Sequence, residues 1–341
     1  MEMDFDTKYD RLYVAVVLPF KNGTFEPDEQ QLRSLLRMFT QPEYVEAGIG
    51  IIINPEAGEI FYLDRSRKRR IVEIAAEEVK GKVPLFAGAI DNTTEGTGKV
   101  AKDAMEAGAD GLFIMPPTGA GDITASWNPS KYPEVWIDMA KQTIATAGGD
   151  MPVICHPTAS ISPAFGVGLP VDATLQMCRE IPNIVGWKMT YSYNGYRIVA
   201  RALRNAERRV AILTASGVFF HEALSTGQSD GALSGSFNYA LELMVDHIKA
   251  WRRGDLQEAR RIWDGGLAEL HEYVYSDFSR LHIRYKTATW LRGHISNPFM
   301  IGPMPKPRKE EVHTLYRLLS NTGLHVIPRA EAEHLAASLD R

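Results

Sequence analysis

The chain has 341 residues, 45% of them hydrophobic and 23% charged, with a formal net charge of -4. That length buries a full core, as one large α/β domain or two modest ones, and the mild, dispersed acidity offers no electrostatic footprint for nucleic acid or an anionic membrane. Two cysteines, Cys155 and Cys178, exclude a disulfide framework or a cysteine-rich zinc site.

The N-terminus, Met1-Glu2-Met3-Asp4-Phe5-Asp6, has no apolar core and does not read as a signal peptide, and no apolar run approaches membrane-spanning length. The expectation is a cytoplasmic protein. From there apolar runs of strand length alternate with longer amphipathic stretches. Val14–Phe20 reads as a strand and Pro27–Phe39 as a helix, with Pro27 suited to a first helical position and Asp28 and Glu29 to the positive end of the helix dipole. Then come Gly48–Asn54 (strand), Ser66–Val79 (helix), Val83–Ala89 (strand), Gly98–Ala107 (helix) and Ala109–Met115 (strand). The basic run Arg67-Lys68-Arg69-Arg70 falls inside the second helix and reads as a solvated face. A polar loop, Thr118–Tyr132, precedes a helix around Pro133–Ala145, and Gly119-Ala120-Gly121-Asp122 within it reads as a lid rather than a phosphate loop.

The alternation resumes with Met151–His156 (strand), Val171–Arg179 (helix), Ile184–Lys188 (strand), Tyr196–Asn205 (helix), Val210–Thr214 (strand), His221–Ser225 (helix) and Gly231–Ser234 (strand). About eight strand–helix units close a parallel barrel, so the expected fold is α/β, a (β/α)8 TIM barrel over 12–253, with Tyr239–Arg252 as its last helix. Residues 254–341 follow as a C-terminal helical extension with helices at Asp255–Tyr275, Phe278–Arg292 and Lys309–Leu319, interrupted by the linker Pro303-Met304-Pro305-Lys306-Pro307. An open doubly wound sheet would carry a glycine-rich phosphate turn after its first strand, and Pro19-Phe20-Lys21-Asn22-Gly23 does not fit one.

Barrels of this kind carry function at the C-terminal ends of their strands. The residue that stands out there is Lys188. A lysine where a buried strand runs out either snorkels to water or is held partly desolvated. Desolvation yields the neutral amine that attacks a carbonyl to form a Schiff base. His156, at the end of the fifth strand, titrates near neutrality and suits proton transfer, although a histidine bonded to local backbone explains the position equally well. Thr190, Thr214, Ser216 and Ser234 are candidate hydrogen-bonding groups at the mouth, with local backbone bonding as the alternative. Trp187 and Tyr191 flank the lysine, and either could supply an apolar wall. His221, His271, His282 and His294 lack metal-ligand spacing, and no metal site is expected.

Ile184-Val185-Gly186-Trp187-Lys188 resembles the strand-six run that carries the Schiff-base lysine of the dihydrodipicolinate synthase/N-acetylneuraminate lyase family of class I aldolases. Other similar pieces follow in order: Val17-Leu18-Pro19-Phe20 with Asn22-Gly23, Pro84-Leu85-Phe86-Ala87-Gly88, Ala107-Gly108-Ala109-Asp110-Gly111 through Pro116-Pro117, and Asp230-Gly231-Ala232-Leu233-Ser234 with Asn238. The resemblance implies a lyase of the aldolase or hydratase-aldolase kind, acting on a 2-oxo acid such as pyruvate without an organic cofactor, and a homo-oligomer, tetramer or dimer. A sugar-acid dehydratase, or a barrel that has lost catalysis and binds a small molecule, are the alternatives.

The chain also departs from the family. Gly-Thr-Thr-Gly-Glu after strand two is replaced by Pro55-Glu56-Ala57-Gly58-Glu59, so the paired hydroxyls are gone and a carboxylate, Glu56, arrives. Amides near Ala57 and Gly58 would then hold the substrate carboxylate, and Glu56 becomes a substrate-binding or second acid/base candidate. The strand-five tyrosine is replaced by His156, the second tyrosine by Thr118-Gly119, and Thr158-Ala159-Ser160-Ile161 stands where some members place an arginine for a second carboxylate. These losses point away from the lysine-forming synthase reaction. Leu233 and Ser234 complete the substrate-binding set.

Overall fold

A computed structural model describes residues 8–118, 127–158, 161–162 and 164–339. The expected polar lid, 119–122, lies outside the described residues. Eight parallel strands close a barrel: β1 (Leu12–Ala15), β2 (Ile49–Ile53), β3 (Leu85–Ala89), β4 (Gly111–Ile114), β5 (Val153–Cys155), β6 (Ile184–Met189), β7 (Ala211–Thr214) and β8 (Gly231–Ser234), with β1 pairing both β2 and β8. The chain is thus a (β/α)8 barrel with added C-terminal helices.

The helices between strands are α1 (Glu29–Phe39), α2 (Pro42–Glu46), α3 (Arg65–Val79), α4 (Thr94–Glu106), α5 (Glu134–Thr146), α6 (Val171–Glu180), α7 (Tyr193–Arg204) and α8 (Phe220–Ser225). Their starts have chemical causes. Asp28, Asp64, Thr93 and Ser192 each accept a hydrogen bond from a first-turn amide of α1, α3, α4 and α7. In α3 the run read as a solvated face is only partly one. Lys68 turns inward and donates from Nζ to the Ile90 carbonyl at 3.0 Å, while Arg69 and Arg70 hold Glu73, Glu106 and Glu29 outside.

The pairing register fixes which residues point into the barrel, because side chains alternate along each strand. Tyr13, Gly50, Phe86, Gly111, Ile154, Gly186, Leu213, Gly231 and Leu233 share the inner face through successive neighbours. Large rings are seated against inward glycines. A Cβ on Gly50 would stand 2.5 Å from the Tyr13 ring, and one on Gly111 2.5 Å from the Phe86 ring. Tyr13 and Phe86 meet edge to face, their centroids 5.7 Å apart, and plug the barrel's interior.

Beyond the barrel come α9 (Phe237–Arg252), α10 (Leu256–Ile262), a π turn at Trp263–Leu267, α11 (Ala268–Tyr275), α12 (Leu281–Leu291), α13 (Lys309–Asn321) and α14 (Arg329–Ala337). The single helix expected over Asp255–Tyr275 is broken by that π turn at Gly265 and Gly266, the latter at φ +112°. The short α2 and the terminal α14 were not anticipated.

The candidate active site

On β6 the two-residue alternation sends Trp187 and Met189 outward and Lys188 inward. Trp187 packs under α5 against Trp136, with ring centroids 6.0 Å apart, and donates from Nε1 to the Tyr191 hydroxyl at 3.0 Å. Neither Trp187 nor Tyr191 therefore forms the lysine's apolar wall. Phe113 of β4 does, with Lys188 Nζ 5.7 Å from its ring centre. Gly186, one inward position below, leaves room for Leu213 and Ile154, whose side chains would stand 3.1 and 3.2 Å from an added Cβ.

Three groups converge around the amine. His156 follows β5, is 1% exposed, and stacks on Phe113 with centroids 5.4 Å apart. Its Nδ1 lies 3.1 Å from Glu56 Oε2, without the alignment of a hydrogen bond, and Glu56 Oε1 is 3.5 Å from the Thr158 hydroxyl, which donates to it. His156 Nε2 has no hydrogen-bond partner among the described residues. A buried, unsatisfied nitrogen in a barrel mouth leaves a position for a ligand atom.

The electrostatics follow from burial. Desolvation lowers the Lys188 amine to about 8, and the Glu56 carboxylate partly offsets that by favouring the ammonium. Glu56 is raised by desolvation, against the pull of Lys188 and the Thr158 hydroxyl. Burial, with the Lys188 and His282 charges in support, holds His156 well below its usual range, so its imidazole is neutral at pH 7. The contact between His156 and Glu56 is accordingly that of a neutral ring with a carboxyl group.

The turn after β2 differs from its expected use. Glu56–Gly58 forms a 3-10 turn in which the Gly58 N–H donates to the Pro55 carbonyl at 3.0 Å and the Glu59 N–H to the Glu56 carbonyl at 2.9 Å. The Gly58 amide is committed within the turn, and Ala57 is the amide left to face a carboxylate. Gly58 is required for packing, since a Cβ there would lie 2.9 Å from the Val16 carbonyl oxygen.

Other expected groups separate by face. Leu233 points into the barrel, whereas Ser234 turns away from the axis and bonds the Tyr275 hydroxyl at 2.9 Å. Thr214 also points outward, to Tyr196 and Ser229. Thr190 is inward by alternation, and its hydroxyl is buried without a partner among the described residues. Ser216 is part-buried and precedes the 3-10 turn Gly217–Phe219, where its side chain makes no capping bond.

Tyr285, Lys286 and Thr289 at the mouth were not singled out from sequence, where Glu59 was noted within the segment after strand two and His282 only for its lack of metal-ligand spacing. Glu59 forms a fully buried pair with Lys286 of α12, Nζ to Oε1 2.6 Å, and its other oxygen accepts the Ile301 N–H at 2.7 Å. Lys286 lies 4.1 Å over the Phe20 ring. His282, Tyr285, Lys286 and Thr289 recur at i, i+3, i+4 and i+7 and so share one face of α12 (Leu281–Leu291). After β5 a two-stranded hairpin, Ile161–Ser162 with Gly166–Val167, bridges to Tyr191 just beyond Lys188. An open groove of about 620 Å³ between α1 and α3, lined by Lys21, Asp28 and Arg70, contains none of these residues.

A closed parallel barrel with a desolvated lysine at the end of its sixth strand defines the class: an enzyme built for imine chemistry. The dihydrodipicolinate synthetase family profile matches residues 8–322, and the chain belongs to that family. It is similar to the 4-hydroxy-tetrahydrodipicolinate synthase of Methanopyrus kandleri, 26% identical over 311 residues that cover 91% of this chain and 95% of the relative. Its fold matches the dihydrodipicolinate synthase of Aquifex aeolicus with a TM-score of 0.76 at 21% identity, covering 93% of this chain and 99% of that one. The sialic acid aldolase of Ruminococcus gnavus superposes with a TM-score of 0.75 at 17% identity, covering 96% and 99%. The chain is a lyase of this family, of the class I, Schiff-base-forming kind that acts on pyruvate-type 2-oxo acids. No helix among the described residues is long and apolar enough to cross a membrane.

Proposed function

We propose that Lys188 is the nucleophile of a pyruvate-dependent aldolase, with His156 and Glu56 as its proton carriers. The observation that carries this is the Lys188 amine held inside the mouth, over Phe113 and facing the His156–Glu56 pair. The neutral amine attacks C2 of the 2-oxo acid, and loss of water gives the iminium. In the cleavage direction His156 Nε2 takes the proton of the C4 hydroxyl. The C3–C4 bond then breaks, its electrons pass into the iminium to give an enamine, and an aldehyde leaves. Protonation at C3 and hydrolysis return pyruvate and the free lysine, and condensation runs the same steps backwards. The Ala57 amide and the Thr190 hydroxyl are the donors available to the substrate carboxylate.

Aldol chemistry is favoured over the lysine-forming synthase reaction. The segment 158–161, where some members place an arginine, carries no cation in this chain, and neither does 119–126. We further propose a homo-oligomer in the cytoplasm. Exposed Phe61, Tyr62 and Phe278 are supporting candidates for a subunit contact, and both cysteines are free and buried. Sedimentation velocity tests the assembly, and a monomer at micromolar concentration overturns that part.

Borohydride trapping tests the chemistry. Incubation with pyruvate, reduction and peptide mass analysis should place the adduct on the peptide containing Lys188, and the Lys188→Ala variant should take up none. An adduct on another lysine, or none on a folded protein, overturns the assignment.

A further inference from the structure

Helix α12 lies across the mouth of the barrel and is pinned there at two points. Four residues into it, Tyr285 fills the space where a Cβ on Gly235 would stand, 2.3 Å from its ring, just past the end of β8, and donates to the Tyr275 hydroxyl at 2.6 Å. The next residue, Lys286, is locked to Glu59 beyond β2. Positions i, i+3 and i+4 of a helix share one face, so the face that carries Tyr285 and Lys286 also carries His282. The His282 ring tilts against Tyr285 with centroids 5.9 Å apart.

His282 is part-buried, keeping some of its surface open to solvent and reagents. It feels the Lys188 charge across the cavity, and burial together with that ammonium pushes its pKa down to about 4. A neutral imidazole offers one donor and one acceptor nitrogen, which suits hydroxyl or carbonyl oxygens and gives no electrostatic purchase on a carboxylate. The mechanism derived for Lys188, Glu56 and His156 leaves this ring without a task.

Below the amine the barrel is closed by Phe113 and the Tyr13–Phe86 plug, so a substrate longer than pyruvate extends from C3 upward, toward α12. We propose that His282 contacts the uncharged part of the substrate beyond C3 and selects the aldehyde that the enzyme releases or adds. The inference depends on the imine at Lys188, and the two are separable by experiment.

The test uses diethyl pyrocarbonate, which carbethoxylates accessible neutral imidazoles, read by mass on the peptide that carries residue 282. Three forms of the full chain are compared: free, reduced with pyruvate, and reduced with 2-oxohexanoate, whose tail continues past C3. The proposal expects His282 to label at similar rates in the free and pyruvyl forms and at least about ten-fold more slowly in the 2-oxohexanoyl form. Equal labelling of the two adducts overturns it. The variant His282→Gln should still trap pyruvate at the parent rate while its preference among a panel of neutral aldehydes changes by about ten-fold or more. Unchanged preference overturns the proposal, and loss of pyruvate trapping assigns His282 a structural role instead. Failure of the parent chain to trap either acid on Lys188 removes the imine itself and is read before any label is counted.

Discussion

At Lys188 the quantity that decides reactivity is the fraction of amine without a proton. With a pKa of about 8, about a tenth of it is neutral at pH 7, against well under a thousandth for an unperturbed lysine. Imine formation with pyruvate should therefore rise from pH 6 to about 8 and then level off, which a trapping rate measured against pH will show. A rate still climbing steeply at pH 10 would mean an ordinary exposed lysine. Glu56 favours the ammonium, so Glu56→Gln should move that rise to lower pH and speed trapping at pH 6.5. If the carboxyl also carries protons, turnover falls in the same variant. His156→Phe separates the roles further: trapping should persist while turnover drops by about 10²–10⁴-fold, the usual worth of a positioned acid–base. Lys188 was legible because the alternation of a short strand put one cation in an apolar run. The contact of His156 with Glu56 was not, since about a hundred residues separate them and nothing local encodes it.

Among the elements, β1 shows how an apolar run can outlast its strand. Val14–Phe20 reads as one strand, yet the regular ladder is Leu12–Ala15, and Val16–Leu18 continue as buried chain. The Asn238 side chain takes over the pairing, accepting from the Val17 N–H at 3.1 Å and donating to the Ala15 carbonyl at 2.8 Å. Side-chain substitution for a ladder partner leaves no trace in hydropathy. The hairpin after β5 was hidden for a related reason, because it is held by backbone approach. A Cβ on Gly195 would stand 2.7 Å from the Phe165 carbonyl oxygen, and one on Gly166 2.5 Å from the Ser192 nitrogen. Helix α12 carries the sharpest energetic test. Lys286→Met strands the Glu59 carboxylate in the interior and should cost about 3–5 kcal/mol in urea denaturation. Adding Glu59→Gln should recover much of that, because a neutral amide beside a methionine leaves no buried charge. A double variant as unstable as the two single losses combined would show that the pair is not coupled.

Across the whole molecule the order of the strands was readable and the closure of the site was not. The eight units emerge from apolar runs spaced by amphipathic ones, and right-handed parallel crossovers leave little topological choice once they are counted. The cover of the mouth comes from helices that the sequence presents as an appendage after residue 253. A boundary there predicts two units able to melt separately. The contacts argue otherwise. Glu59 and Lys286 are both buried only while barrel and helices stay docked, Asn297 donates to the Phe20 carbonyl and the Asn22 side chain, and Arg292 holds Glu242 of α9 at 2.5 Å. Separating the two parts would leave Glu59 without its cation, and Gly235 and Phe20 without the side chains that cover them. The expected outcome is one calorimetric transition whose van't Hoff and calorimetric enthalpies agree within a protomer. The Lys286→Met variant should shift that transition to lower temperature without splitting it. Two resolved transitions, or a 12–253 fragment that melts cooperatively and binds no hydrophobic dye, would show instead that the helices are a dispensable cap and that the mouth is complete without them.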